Sequence, residues 1–121
     1  MVRLAALSVL AIVSWGCDGP GVPCPAMATA GLTVTVTNAG NSQPICDATV
    51  TATDGAYSET LQVFGCTYVG AYERPGTYVV RAVREGFAPA ERGSVSVARN
   101  DDACRTLEGA KVTMALTPRP L

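Results

Sequence analysis

The chain contains no histidine. That one absence removes the commonest general base, the usual zinc ligand and every Ser-His triad. Basic clusters are missing as well: nine Lys and Arg and ten Asp and Glu are scattered along the chain with no two basic residues adjacent, for a formal net charge of −1. Neither a phosphate-binding stripe nor a polybasic membrane patch can be assembled from them, so no nucleic-acid partner is expected. The apolar-and-small run from Leu4 to Val13 is ten residues long, about half of the ~20 that span a bilayer as a helix. After Ala30 no ten-residue segment carries helical periodicity, apart from a weak pattern near Asp101 to Glu108. With no acid–base set and no ligand cluster, the expectation is a protein that is not an enzyme and has no cofactor and no bound metal.

What is present begins at the N-terminus. Arg3, the run Leu4–Val13, and then Ser14-Trp15-Gly16-Cys17 have the order of an export signal: a positive residue, a short apolar stretch and a small residue at the cut. With Gly16 directly before Cys17, the segment resembles a bacterial lipoprotein signal. The resemblance implies a signal peptide over 1–16, folded as a signal helix, and a lipid-bearing Cys17 at the mature N-terminus. It also implies a membrane partner, held through acyl chains on Cys17, and a place in the cell envelope, on the periplasmic side or the cell surface. Asp18 is similar to the inner-membrane retention signal of some such lipoproteins, which leaves the leaflet open. The family places an aliphatic residue three before the cysteine and a small one two before it, where this chain has Ser14 and Trp15. Cleavage by an ordinary signal peptidase, after Gly16 or after Ala26-Met27-Ala28, therefore stands as the alternative and would make the protein secreted.

Five cysteines, Cys17, Cys24, Cys46, Cys66 and Cys104, are an odd number, and an odd thiol in an exported protein needs an explanation. Acylation of Cys17 supplies one. The other four can close two disulfides in an oxidising compartment, with three connectivities to choose from. No two of them are close in sequence, which disfavours zinc.

Residues 17–30 are rich in Gly, Pro and Ala and cannot build a core; they read as a flexible tether. From residue 31 to 118 a period of two takes over. Leu32, Val34 and Val36 alternate with threonines over 32–38. Val50 and Ala52 do the same before the turn Asp54-Gly55, and Leu61 and Val63 mark a third strand. Thr67 to Glu73 is a fourth, closed by the turn Arg74-Pro75-Gly76, where Pro presets φ and Gly supplies the permissive position. Tyr78, Val80 and Ala82 share one face of a fifth strand that ends at Gly86-Phe87; Val95 and Val97 mark the sixth, and Val112, Met114 and Leu116 the seventh. Seven short strands with turns between them predict an all-β fold, a seven-stranded antiparallel β-sandwich.

Three segments carry a further resemblance: Pro44-Ile45-Cys46-Asp47-Ala48-Thr49-Val50, Pro75-Gly76-Thr77-Tyr78-Val79-Val80, and Gly86-Phe87. Over residues 32 to 117 the chain resembles carboxypeptidase regulatory-like domains, which implies a transthyretin-like (prealbumin-like) sandwich. The resemblance is carried by turn and core residues and speaks to fold more than to function. If every connection reverses direction, Cys46 and Cys66 fall at one pole, and Cys24 and Cys104 at the other. The expected bridges are therefore Cys46–Cys66 and Cys24–Cys104.

Alternation along 68–72 puts Tyr68 and Tyr72 on one face with Gly70 between them, a geometry that could stack on a sugar ring as a possible ligand-binding surface; packing of Tyr68 into the core is the favoured reading. Asp101-Asp102 read as a solvated turn, since no spaced calcium loop surrounds them. Glu73-Arg74 and Arg84-Glu85 read as exposed strand-end charges. The expected function is that of a non-catalytic, lipid-anchored envelope sandwich serving as a structural or protein-interaction module, with a carbohydrate-binding module as the alternative.

Overall fold

A computed structural model describes Cys24 and residues 27–120. The expected signal over 1–16 and the expected lipidation site Cys17 lie outside the described residues. The first Thr-rich alternation becomes β1 (Leu32–Asn38), with Leu32, Val34 and Val36 fully buried and the threonines on the other face. The remaining strands are β2 (Thr49–Asp54), β3 (Tyr57–Thr60), β4 (Gln62–Phe64), β5 (Thr67–Gly70), β6 (Gly76–Val83), β7 (Ala90–Arg99), β8 (Leu107–Glu108) and β9 (Ala110–Leu116). They form a four-stranded sheet, β4-β5-β1-β9, and a five-stranded sheet, β3-β2-β6-β7-β8.

One apolar cluster joins the two sheets. Leu32, Val34, Val36, Tyr68, Val112, Met114 and Leu116 come from the first sheet, and Val50, Ala52, Tyr78, Val80, Ala82, Val95 and Val97 from the second. Burying each of the larger aliphatic side chains contributes roughly 1.5–3 kcal/mol, and among the described residues no polar or charged side chain shares the core.

Among the described residues nine strands stand where seven were expected, because Tyr57–Thr60 and Leu107–Glu108 are further strands, each followed by a corner into the other sheet. Between β3 and β4 only Leu61 intervenes, and between β8 and β9 only Gly109; each pair passes from the five-stranded sheet to the four-stranded one. Leu61 is buried at its corner, where its N–H donates to the Val50 carbonyl. At Gly109 a Cβ would press into the carbonyl oxygens of Ala30 and Gly31, so the second corner requires glycine. Sheet-switching corners of this kind are a regular device of packed sheets.

The expectation of purely antiparallel pairing also needs correction. β1 and β9 pair in parallel over their full length, Leu32 opposite Ala110 through Asn38 opposite Leu116. Seven runs that each reverse leave the first and last pointing the same way, so joining them edge to edge can only be parallel. A register shift between Tyr78 and Val80 marks a bulge where β7 passes through Gly93 and Ser94, the latter at φ 57°.

Two local readings change. The strand expected over Thr67 to Glu73 stops at Gly70, because Ala71 and Glu73 both take positive φ and the Arg74 N–H closes a turn onto the Ala71 carbonyl at 3.2 Å. Gly76 is therefore not the permissive turn residue. It opens β6, where a Cβ would push the Asp54 carboxylate away from its pairing with Arg74. The weak helical pattern near Asp101 to Glu108 is a turn followed by β8.

Two disulfides close the structure, Cys24–Cys104 across 80 positions and Cys46–Cys66 across 20, the pairs that strand direction predicts. In the chain-entropy model such loops are worth about 4.5 and about 3 kcal/mol. The later part of the expected tether is fastened to the sheets. Besides the Cys24 bridge, the Thr29 N–H donates to the Glu73 carboxylate at 2.8 Å, the Glu73 N–H to the Thr29 carbonyl at 3.0 Å, and the Ala110 N–H to the Gly31 carbonyl at 2.8 Å.

Candidate functional site

The strands run between two poles. Where β1 starts lie Cys24–Cys104, Thr29, Glu73 and the turn before β8; we call this the entry pole. Where β1 and β9 end lie the segment 39–48, Cys46–Cys66, Arg84 to Phe87 and Pro118, the far pole.

A shallow groove of about 180 Å³ opens at the far pole, lined by Pro44, Ile45, Cys46, Asp47, Arg84 and Phe87. Arg84 grips Asp47 with two parallel bonds, Nε to Oδ1 at 3.0 Å and Nη2 to Oδ2 at 2.9 Å. Its Nη1 donates to the Glu85 carbonyl at 2.9 Å, and the guanidinium carbon lies 5.7 Å from the centre of the Phe87 ring. The Arg84 hydrogen bonds hold the Asp47 carboxyl below its ordinary range and push the Arg84 guanidinium up. Such a carboxylate is a poor base, and the neighbouring Cys46 sulfur is committed to its bridge. The groove thus sets a paired carboxylate and guanidinium beside the walls formed by Pro44, Ile45 and Phe87.

At the entry pole a recess of about 60 Å³ is lined by Cys24, Met27, Thr29, Glu73 and Cys104 to Leu107. The Thr29 amide, and after it the Arg99 guanidinium, keep the Glu73 carboxyl below its ordinary 4.5. Arg99 also donates to the carbonyls of Glu73 at 2.9 Å and Arg105 at 3.0 Å, tying three segments together. Asp102 serves its own turn: it accepts the Thr106 hydroxyl at 2.7 Å and the Thr106 N–H at 3.0 Å, and these bonds lower its carboxyl as well.

Tyr68 packs in the core, the favoured reading, and the alternative sugar-stacking surface does not form. Tyr68 is 1% exposed in the core, while Tyr72 is 45% exposed on the turn beyond β5. Positive φ at Ala71 breaks the alternation that would have aligned the two rings. The Tyr68 hydroxyl donates to the Ile45 carbonyl at 2.6 Å and accepts the Ala48 N–H at 3.0 Å, so it clamps the segment before β2 onto β5. Burial pushes its phenol up.

Sequence reasoning missed a cluster around Arg74, read there as an exposed strand-end charge. Its guanidinium carbon sits 3.7 Å from the Tyr57 ring centre, and its Nη1 donates to Asp54 Oδ2 and the Tyr78 hydroxyl, each at 3.0 Å. Tyr57 donates to Glu59, whose Oε1 also accepts the Ala71 N–H at 3.1 Å. The Glu59 bond, with burial second, raises the Tyr57 phenol. The one available signal was Tyr57 and Glu59 two apart on a strand, hence on one face. The cluster engages the hydroxyl end of Tyr78, which donates to the Arg74 carbonyl at 2.7 Å.

Neither the protein-family models nor the curated proteins contain a match to this chain.

Proposed function

We propose that the protein is a non-catalytic, lipid-anchored module of the bacterial cell envelope, a transthyretin-like sandwich of the carboxypeptidase regulatory-like kind that acts in structure or protein contact. The observation that carries this reading is the division of the cysteines. Four close two bridges, which favours an oxidising compartment, and the fifth, Cys17, directly follows Gly16 at the end of an export-like segment. Support for the sandwich type comes from two sheets around one core and from Tyr78, fully buried on the strand that begins at Gly76. The far-pole groove is the candidate contact surface. The carbohydrate reading loses its motivation with Tyr68 in the core.

Mass spectrometry of the protein recovered from bacterial membranes tests the anchor. The expected product starts at Cys17 and carries acyl mass, and Cys17→Ser moves the protein to the soluble fraction. A mature chain starting elsewhere, or one without acyl mass, refutes the proposal.

A further inference from the structure

The fastening of the chain at the entry pole has a geometric consequence for an anchored protein, one that rests on the lipidation of Cys17 proposed above. Seven peptide steps separate Cys17 from Cys24, and fully extended they reach at most about 25 Å. β1 and β9, seven residues each, are themselves about 23 Å long. A chain that leaves the domain at Cys24 therefore has no length to spare for carrying its lipid past the domain to the far pole. Cys24 is held in place by Cys104, and the next described residues are held by Thr29, Glu73 and Gly31. Beside this exit stands Met27, the most exposed large apolar side chain among the described residues at 81%.

We infer that the entry pole is a membrane-facing surface, with Met27 seated in the lipid headgroup boundary and the Asn38–Asp47 and Arg84–Phe87 segments pointing away from the bilayer. The occupant is a lipid surface and not a protein, because the acyl chains arrive within one short reach of Met27. Charge plays little part. Asp101, Asp102 and Arg105 at this pole are of mixed sign, so the contact is set by tether length and apolar insertion and should persist in high salt.

The only tryptophan, Trp15, lies in the expected signal, so the mature protein can carry a single introduced reporter. Met27→Trp places one at the entry pole. Phe64→Trp places another at an exposed site (59%) in register with Thr67 and hence with Thr35, away from the start of β1. Each variant, purified with its acyl mass verified, is reconstituted into phosphatidylcholine vesicles with and without brominated acyl chains. The expected result is fluorescence quenching at least twofold stronger in Met27→Trp than in Phe64→Trp, unchanged at high salt. Equal quenching of the two variants, stronger quenching of Phe64→Trp, or quenching of neither in acylated protein overturns the orientation alone. Protein recovered without acyl mass overturns the anchor and the orientation with it.

Discussion

Tyr68 shows how a single side chain can be legible in kind and not in role. Its alternation with Val69 and Gly70 marks a strand, yet whether its ring faces solvent or core depends on what lies across the sheet, which is not a local property. The structure uses the ring as filler and the hydroxyl as a clamp on Ile45 and Ala48. Tyr68→Phe keeps the filler and leaves a buried carbonyl and a partly buried N–H without a partner, at a cost of about 1–3 kcal/mol. Thermal unfolding followed by circular dichroism should show a melting point lower by roughly 5–15 °C with an unchanged folded spectrum. An unaltered melting point would mean that water replaces the hydroxyl. Glu73 contributes to the pH dependence on the acid side, together with the similarly lowered Asp47 and Asp102. Its folded carboxyl titrates below its ordinary value, so its stabilising effect is complete above the unfolded value near 4.5 and is lost as pH falls through the lower folded value. Urea midpoints should accordingly hold steady from neutrality to about pH 5 and then decline, and Glu73→Gln should start lower and decline less steeply.

At the scale of strands, legibility followed amphipathicity. β1, β2, β6 and β9 each bury one face and expose the other, so period two reveals them, and the 32–38 boundary of β1 is read directly. β3 and β8, four and two residues long, are too short for a period to stand out. Nor does any local signal reveal that a run will change sheets at Leu61 or Gly109, because the corner is decided by what the backbone meets on arrival. β4 shows the result: Leu61 is buried while Val63, two residues on, is exposed. Gln62, Val63 and Phe64 form an uncharged, exposed edge of the four-stranded sheet. Its opposite edge, β9, has the Thr113 carbonyl engaged by Arg92 at 3.0 Å. Open apolar edges invite pairing between molecules. Phe64→Lys should therefore reduce self-association in concentrated solution, measured by light scattering, and change stability by no more than about 0.5 kcal/mol; a large loss of stability would show that Phe64 packs within the fold.

For the molecule as a whole, the alternation of strand direction carried more information than the exact number of strands. β3 and β8 each lead through a one-residue corner into the strand that follows, so the poles to which the cysteines belong survive the change from seven strands to nine. The same architecture decides how the domain responds to mechanical load. A pull applied to the chain before Cys24 and after Pro118 enters at Cys24, crosses the bridge to Cys104, and continues through β8 and β9 to Pro118. The covalent path bypasses the intervening chain, so tension runs along β8 and β9, which are already extended, and the chain between Cys24 and Cys104 cannot lengthen. Single-molecule pulling should find no domain-sized lengthening while the bridge is intact. After reduction it should find a rupture that releases up to the 80 positions the bridge encloses. A full-length step in the oxidised protein would contradict this route. A molecule so wired behaves under tension as an inextensible link, with a folded body hung beside the line of force.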